Sequence, residues 1–177
     1  MSGIAAEVAR APARGPLSRF NALLARLALM LCIAGLFVII AIVAWQVFGR
    51  YVLNASPTWT ESLALVLILY VTLIGAAVGV RDAGHIGMES LLVLVPARIR
   101  TKMEMVIFVL VAGFGVCMVY NGWLLGHSVA AYKLANLQLA EWVRYVPMVV
   151  SGALIALFSL EHIIALARGE DVVPAWH

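Results

Sequence analysis

Long apolar runs separated by short polar segments dominate the pattern along the chain. Four windows contain no Asp, Glu, Lys or Arg, and they cover residues 27–49, 62–80, 105–132 and 145–160. A helix crosses the hydrocarbon of a bilayer in about 20 residues, so the first three windows suffice and the fourth has to continue past Glu161. The pattern predicts four transmembrane helices, over residues 27–49, 59–80, 103–130 and 146–166.

Two shorter apolar segments lie outside these windows. Residues 17–26 are amphipathic, with Phe20, Leu23 and Leu24 on one face. Residues 86–95 are apolar but too short to cross a bilayer. Both segments predict short interfacial helices, the first leading into the first span and the second lying between spans two and three. Residues 1–16 and 169–177 are expected to be tails.

Composition supports a membrane protein over a soluble one. Hydrophobic residues make up 64% of the chain and charged residues 12%, against about 45–50% and about 25% in a soluble domain. The predicted fold class is therefore an all-α integral membrane protein whose outer surface contacts lipid. Nucleic acid is not expected as a partner, because the basic residues flank the spans and form no continuous basic face.

Lys and Arg are unequally divided between the predicted loops. With the N-terminus in the cytoplasm, nine of the twelve lie on the cytoplasmic side and three, Arg50, Lys133 and Arg144, on the other. The positive-inside rule then predicts that both termini are cytoplasmic.

A polar segment, residues 48–61, precedes the second span. Asn54 and Ser56 predict a turn. Thr58 and Glu61 have the spacing of a helix capping box, and a cap by Ser56 is the alternative. Trp59 suits the membrane interface. A well-capped loop and a protein contact are both compatible with this segment.

A second polar segment, residues 81–89, follows the second span. It is interpreted either as a helix stop and polar junction or as a cluster that contacts a partner chain. Asp82, His85 and Glu89 offer metal-binding atoms, but no further ligand is convincingly placed. Glu161 and His162 lie near the end of span four. A buried ionisable group within a membrane is a candidate for function, and the alternative is that both side chains extend toward the interface.

The sequence contains no signature of catalysis. G-x-S-x-G and Walker A motifs are absent. We expect no enzyme activity, no cofactor, and no catalytic, substrate-binding or metal site. The G-x-x-x-G pairs Gly75/Gly79 and Gly122/Gly126 permit close helix contact, so the chain is expected to dock onto another membrane protein. The candidate interface residues are Arg50, Tyr51, Asn54, Trp59, Glu61, Gly75, Gly79, Arg81, His85 and Glu89.

The two polar segments together resemble the small membrane subunit of the tripartite ATP-independent periplasmic (TRAP) transporters, the DctQ-like family. The resemblance covers about residues 25–167. Two positions depart from the family pattern, since Ser62 stands where a second acid is frequent and Met88-Glu89 where Val-Asp is frequent. The matching residues are Arg50 to Asn54, Ser56-Pro57, Trp59 to Glu61, Gly75, Arg81, His85-Ile86, Leu94 to Pro96, Arg100, Trp142, Tyr145 and Pro147.

The resemblance implies a role and a set of partners. Such subunits pair with a large membrane (M-type) subunit, and a periplasmic substrate-binding protein delivers an organic acid to it. Transport is sodium-coupled and takes place in the bacterial inner membrane, with the small subunit serving as scaffold. The alternative is a membrane-anchor subunit of a redox complex, for which His85 and His162 are the one pair of histidines that could hold a haem.

Overall fold

The computed structural model describes residues 11–12, 15–55, 57–82, 97–134 and 136–171. Four long helices account for most of them. They are α1 (Pro16–Tyr51), α2 (Thr58–Asp82), α3 (Ala97–Ser128) and α4 (Val146–Arg168). A 3₁₀ turn, Glu141–Arg144, precedes α4. Two-residue strands, β1 (Ala11–Pro12) and β2 (Glu170–Asp171), pair in parallel beside the helices.

All four helices are long and apolar enough to cross a bilayer. The predicted fold class is therefore confirmed. The helices extend beyond the charge-free windows, because a charged residue within a turn or two of the membrane surface need not end a helix. The predicted interfacial helix 17–26 is the unbroken beginning of α1. The one predicted over 86–95 lies outside the described residues.

Local sequence explains where the helices begin and end. Pro16 occupies the first turn of α1, where its missing N–H costs no hydrogen bond. Asn54 adopts a positive φ of 51° in the turn before α2, as the sequence predicted for this segment. Gly169 ends α4 in the left-handed region, with its N–H bonded to the carbonyls of Ala165 and Leu166.

Helix α4 is the centre of the bundle. It packs against α3 on one side and α2 on the other, and α1 packs mainly against α2. Ala77, Met118 and Ile155 form a core cluster with one residue from each of α2, α3 and α4. Half of the most apolar window of α4 is buried, against 11% for α1. Much of the surface of α1 is therefore left for lipid or protein.

Glycines set the closest helix contacts. A Cβ atom at Gly115 would lie 2.7 Å from the carbonyl oxygen of Gly152, and one at Gly152 would lie 2.7 Å from that of Gly115. A Cβ at Gly35 would lie 2.7 Å from a methyl group of Val71, which joins α1 to α2. The contact between Gly115 and Gly152 requires glycine, because backbone on the facing helix cannot move aside as a flexible side chain can.

The bundle has two ends, which we name by their residues. The Arg81 end is the face at which α1 and α3 begin and α2 and α4 end. The Trp142 end is the opposite face. There the segment between α3 and α4 folds back on itself through a bridge between Lys133 and Ala140. The hydroxyl of Tyr70 donates to the carbonyl oxygen of Val143 at 2.9 Å and so fixes this segment to α2.

Replacing Gly115 with alanine is expected to lower the free energy of unfolding by about 1–3 kcal/mol, because the new methyl group meets backbone at 2.7–2.9 Å. The matched control is Gly113→Ala on the same helix, where nothing lies within 4 Å of an added Cβ. Thermal unfolding of the purified chain in detergent, followed by circular dichroism, measures both variants. Equal melting temperatures for the two would contradict the α3–α4 contact.

Candidate functional site

Buried charge is concentrated at the Arg81 end. In the part of the chain that the structure describes, four charged side chains are buried: Arg81, Asp82, Glu104 and Glu161. We use the name Arg81 cluster for these residues together with Asn21, His162 and Phe108, which stacks on His162. Arg81 and Asp82 are the last two residues of α2, Glu161 and His162 lie in the last two turns of α4, and Asn21 lies in the second turn of α1.

The guanidinium of Arg81 is bonded through all three of its nitrogens. Its Nε and Nη2 donate to the two carboxylate oxygens of Glu161 at 3.2 and 3.3 Å. Its Nη1 donates to Oδ1 of Asp82 at 3.0 Å. The two-pronged contact with Glu161 matches the planar fork of an arginine to a carboxylate, the geometry that fixes orientation as well as distance. Because Arg81 and Glu161 are 1% and 3% exposed, water screens this pair little.

Asn21 joins the first helix to the same ion pair. Its side-chain amide donates to Oε2 of Glu161 at 2.9 Å, across 140 residues of sequence. Asn21 is fully buried, and its own Oδ1 accepts no hydrogen bond among the described residues. A small apolar contact between Ala25 and Phe158 lies beside this bond. The first helix is thus fixed to α4 at the Arg81 end by one polar and one apolar contact.

His162 connects the cluster to α3. Its Nε2 lies 2.9 Å from the carbonyl oxygen of Arg81, and since a carbonyl can only accept, this nitrogen carries the proton. The imidazole stacks on the ring of Phe108 with centroids 4.3 Å apart and planes 4° from parallel. Glu104, one turn before Phe108 on α3, is also buried. The cluster therefore ties together all four helices.

The structure decides between the two interpretations of Glu161 and His162. Both are buried and do not extend toward the interface, because Arg81 and Asn21 donate hydrogen bonds to the carboxylate and the imidazole donates one to the backbone of α2. Ion pairing compensates for lost solvation, so neither side chain has to reach water. The haem alternative loses support, since His162 already uses Nε2 for a hydrogen bond.

The candidate interface residues divide into four groups. Those around the α1–α2 turn are exposed: Arg50, Tyr51, Asn54, Trp59 and Glu61. Arg81 is inside the chain. Of the two glycines on α2, Gly75 faces Cys32 of α1 at an ordinary contact distance, and Gly79 has open space beside it. His85 and Glu89 lie outside the described residues, as does Ser56.

Sequence reasoning missed Asn21 as a site residue and did not pair Arg81 with Glu161. Asn21 is the one uncharged polar side chain of residues 20–25, and a polar side chain within an apolar stretch was a usable signal. No local signal pairs Arg81 with Glu161, because 80 residues separate them.

Glu161→Gln is expected to lower the free energy of unfolding by about 2–4 kcal/mol, because it removes the carboxylate charge that faces two nitrogens of the buried Arg81 guanidinium. The control is Glu141→Gln, which breaks a half-exposed pair with Arg144 at 3.7 Å and should cost less than about 1 kcal/mol. Thermal unfolding in detergent compares them. A Glu161 variant as stable as the Glu141 variant would mean that the buried pair contributes nothing to the bundle.

Comparison with known proteins supports the sequence resemblance over most of the chain. The sequence model of the family described as "Tripartite ATP-independent periplasmic transporters, DctQ component" matches residues 39–169. That range includes α2, α3 and α4 complete, and with them every member of the Arg81 cluster except Asn21.

Three relatives match at moderate identity. The sialic acid TRAP transporter small permease protein SiaQ of Vibrio cholerae is 24% identical over 131 residues, which are 73% of this chain and 75% of SiaQ. The C4-dicarboxylate TRAP transporter small permease protein DctQ of the same species is 27% identical over 78 residues, 44% of this chain and 34% of the relative. The sialic acid TRAP transporter permease protein SiaT of Haemophilus influenzae is 33% identical over 75 residues, 40% of this chain and 12% of SiaT. With a family match over more than half of its length, this chain belongs to the DctQ component family of the TRAP transporters.

Proposed function

We propose that this chain is the scaffold subunit of a TRAP transporter that imports an organic acid across the bacterial inner membrane. It braces a large permease subunit, which carries the substrate and the coupling sodium ions, and a periplasmic protein delivers the substrate. It is not an enzyme. The relatives' names support a carboxylate-bearing solute, since sialic acid and C4-dicarboxylates share that group.

The observation that carries the scaffold role is how the chain uses its buried charge. A transport site keeps ionisable groups along a pathway that the solute or ion reaches. Here Asp82 and Glu161 both accept hydrogen bonds from Arg81, which uses every guanidinium nitrogen. Such groups hold helices in place and have little capacity left for a solute.

The similarity to SiaT supports a permease as partner. The matched segment is 12% of SiaT, so a stretch similar to this chain is found within a much longer permease. In our proposal this chain and the large permease subunit are separate chains that lie side by side in the transporter. The exposed apolar surface of α1 and the exposed polar residues of the α1–α2 turn are the surfaces offered to the large subunit.

Solute uptake into proteoliposomes should require the large subunit, the binding protein and a sodium gradient, and this chain alone should move no solute. Radiolabelled organic acids, sialic acid and a C4-dicarboxylate among them, give the measurement. Uptake by this chain alone would contradict the scaffold role. Full uptake by the large subunit with its binding protein, in the absence of this chain, would show that no scaffold is needed.

Both termini are proposed to be cytoplasmic, because nine of twelve Lys and Arg residues then lie inside. With Cys32 and Cys117 first replaced by serine, Ala55→Cys should react with a membrane-impermeant thiol reagent added to spheroplasts. Ala97→Cys should react only after the membrane is broken. The reverse pattern would invert the topology, and equal labelling of both would contradict a single orientation.

A further inference from the structure

A polar side chain on α3 faces out of the bundle at membrane depth. Asn121 is exposed, whereas Gly115 and Gly122 on the same helix are buried against α4. The side-chain amide of Asn121 donates to the carbonyl oxygen of Cys117, one turn earlier on α3, at 2.8 Å. Its Oδ1 and its second amide hydrogen bond to nothing in the part of the chain that the structure describes. The amide therefore has one acceptor and one donor left for another molecule.

Asn121 lies too deep in the membrane for its amide to reach water. Gly126 faces Tyr145, and Tyr and Trp concentrate at the level where hydrocarbon meets the head groups. Asn121 precedes Gly126 by five residues, which places it about 7–8 Å further into the hydrocarbon at the rise of an α-helix. An asparagine side chain is much shorter than the Lys and Arg side chains that extend to the interface. Because an unpaired amide is costly in hydrocarbon, a hydrogen-bonding group from outside the chain has to cover it.

A second copy of this chain supplies that group by symmetry. Copies with one topology have the same orientation and depth in a membrane, so each residue of a shared contact face lies level with its own counterpart. A two-fold axis, the most frequent symmetry of protein dimers, then places the two Asn121 amides opposite each other. Each amide donates one N–H and accepts with its oxygen, so the pair needs no further residue. A different membrane protein would have to present a polar side chain at this same depth.

The surface around Asn121 permits the close approach of a second helix. Cys117 and Gly113, four and eight residues before Asn121, lie on the same side of α3 and are exposed. An added Cβ atom at Gly113 would meet nothing within 4 Å. Phe114 and Leu124 lie beside this line and are 62% and 54% exposed, so they can pack around a contact. Small residues let two helix backbones approach closely enough for side-chain amides to bond across the interface. We name these five residues the Asn121 face.

We propose that this chain forms a two-fold symmetric dimer through the Asn121 face, with the two Asn121 amides hydrogen-bonded to each other. Residues 105–132 contain no Asp, Glu, Lys or Arg, so the two faces meet without repulsion between charges. Helix α3 packs on the other side of α4 from α2, and α1 packs mainly against α2. The dimer therefore leaves α1 and the α1–α2 turn available to the large subunit, and it does not rest on the scaffold role.

The native cysteine of the Asn121 face reports the dimer in the membrane. With Cys32 replaced by serine, Cys117 is the remaining thiol of the chain. Membranes that contain the full chain and the large subunit are treated with copper-phenanthroline, which takes two electrons from a pair of neighbouring thiols as they lose their protons and form a disulfide. We expect a covalent dimer of this chain on non-reducing gels, because Cys117 lies one turn from the bonded amide.

Substitution of Asn121 tests the amide itself. Energy transfer between full chains that carry donor and acceptor fluorophores, diluted with lipid in vesicles, measures the Kd of the dimer. Asn121→Leu removes the amide and keeps a similar volume, and it should raise this Kd about tenfold, the effect of losing two interhelical hydrogen bonds. The matched control is Tyr120→Phe, which removes a polar group from the neighbouring exposed position of α3 and should leave the Kd unchanged.

A second pair of variants tests the shape of the face. Gly113→Leu adds bulk at the contact and should raise the Kd of the dimer at least about tenfold. Its control, Ala41→Leu, adds bulk at an exposed position of α1 and should leave the Kd unchanged. Circular dichroism shows whether each variant is folded. The Asn121→Leu variant keeps the test decisive if Gly113→Leu unfolds.

Four results would overturn the proposal. Energy transfer that stays at the level of unassociated chains at every dilution would exclude the dimer. An Asn121→Leu chain that dimerises as tightly as the unmodified chain would exclude the amide contact, as would an equal weakening by Tyr120→Phe. A Cys117 disulfide to the large subunit would assign the Asn121 face to that subunit. None of these measurements records solute uptake, which tests the scaffold role separately.

Discussion

The buried ion pair between Arg81 and Glu161 is the interaction on which the rest of the bundle depends. In lipid, apolar side chains gain little by leaving the solvent for one another, so helices associate through close packing and interhelical hydrogen bonds. A charged side chain at membrane depth is tolerated only when it is paired. With every guanidinium nitrogen bonded to a carboxylate oxygen, Arg81 satisfies that condition and fixes the end of α2 against α4.

Away from the Arg81 end, close packing at glycine residues holds the helices together. The backbones of Gly115 and Gly152 hold α3 and α4 together near the middle of the bundle, and Gly35 brings α1 close to Val71 of α2. Beyond Gly35 few residues of α1 are buried. The bundle is therefore tied on all four helices at one end, while at the other its first helix is left exposed along an apolar face.

The four spans were predictable because transfer to lipid depends on the composition of about 20 consecutive residues, which the sequence displays directly. The turn at Asn54 was predictable for the same reason, since its cause is local. The Arg81 cluster was not, because charge served only to mark the ends of spans. Glu161 was used only to mark the end of the fourth charge-free window. That use gives no way to pair Glu161 with Arg81, which lies 80 positions away.

Helix contacts were likewise predictable in part, where the signal was local, and unpredictable where it was not. The Gly122/Gly126 spacing predicted close packing, and both glycines do face the beginning of α4, at Val149 and Tyr145. Gly152 has no glycine four residues before or after it, yet it makes one of the tightest contacts among the described residues. Spacing within one helix can reveal a smooth face. Which residue lies opposite on the neighbouring helix depends on the position of each helix along its own axis. The polar bonds at the helix ends fix that position.

These constraints bear on how the chain can serve a partner. Because its buried charges bond to one another, they fix its own shape, and few of them are available to the permease. Recognition then has to rest on shape, on exposed apolar side chains and on polar residues at the membrane faces, among which Arg50 and Glu61 are exposed. A support that keeps its geometry while a neighbour moves needs internal bonds stronger than those it makes outward. In the proposed scaffold role, the buried ion pair at one end and the glycine contacts between α3 and α4 supply such internal bonds.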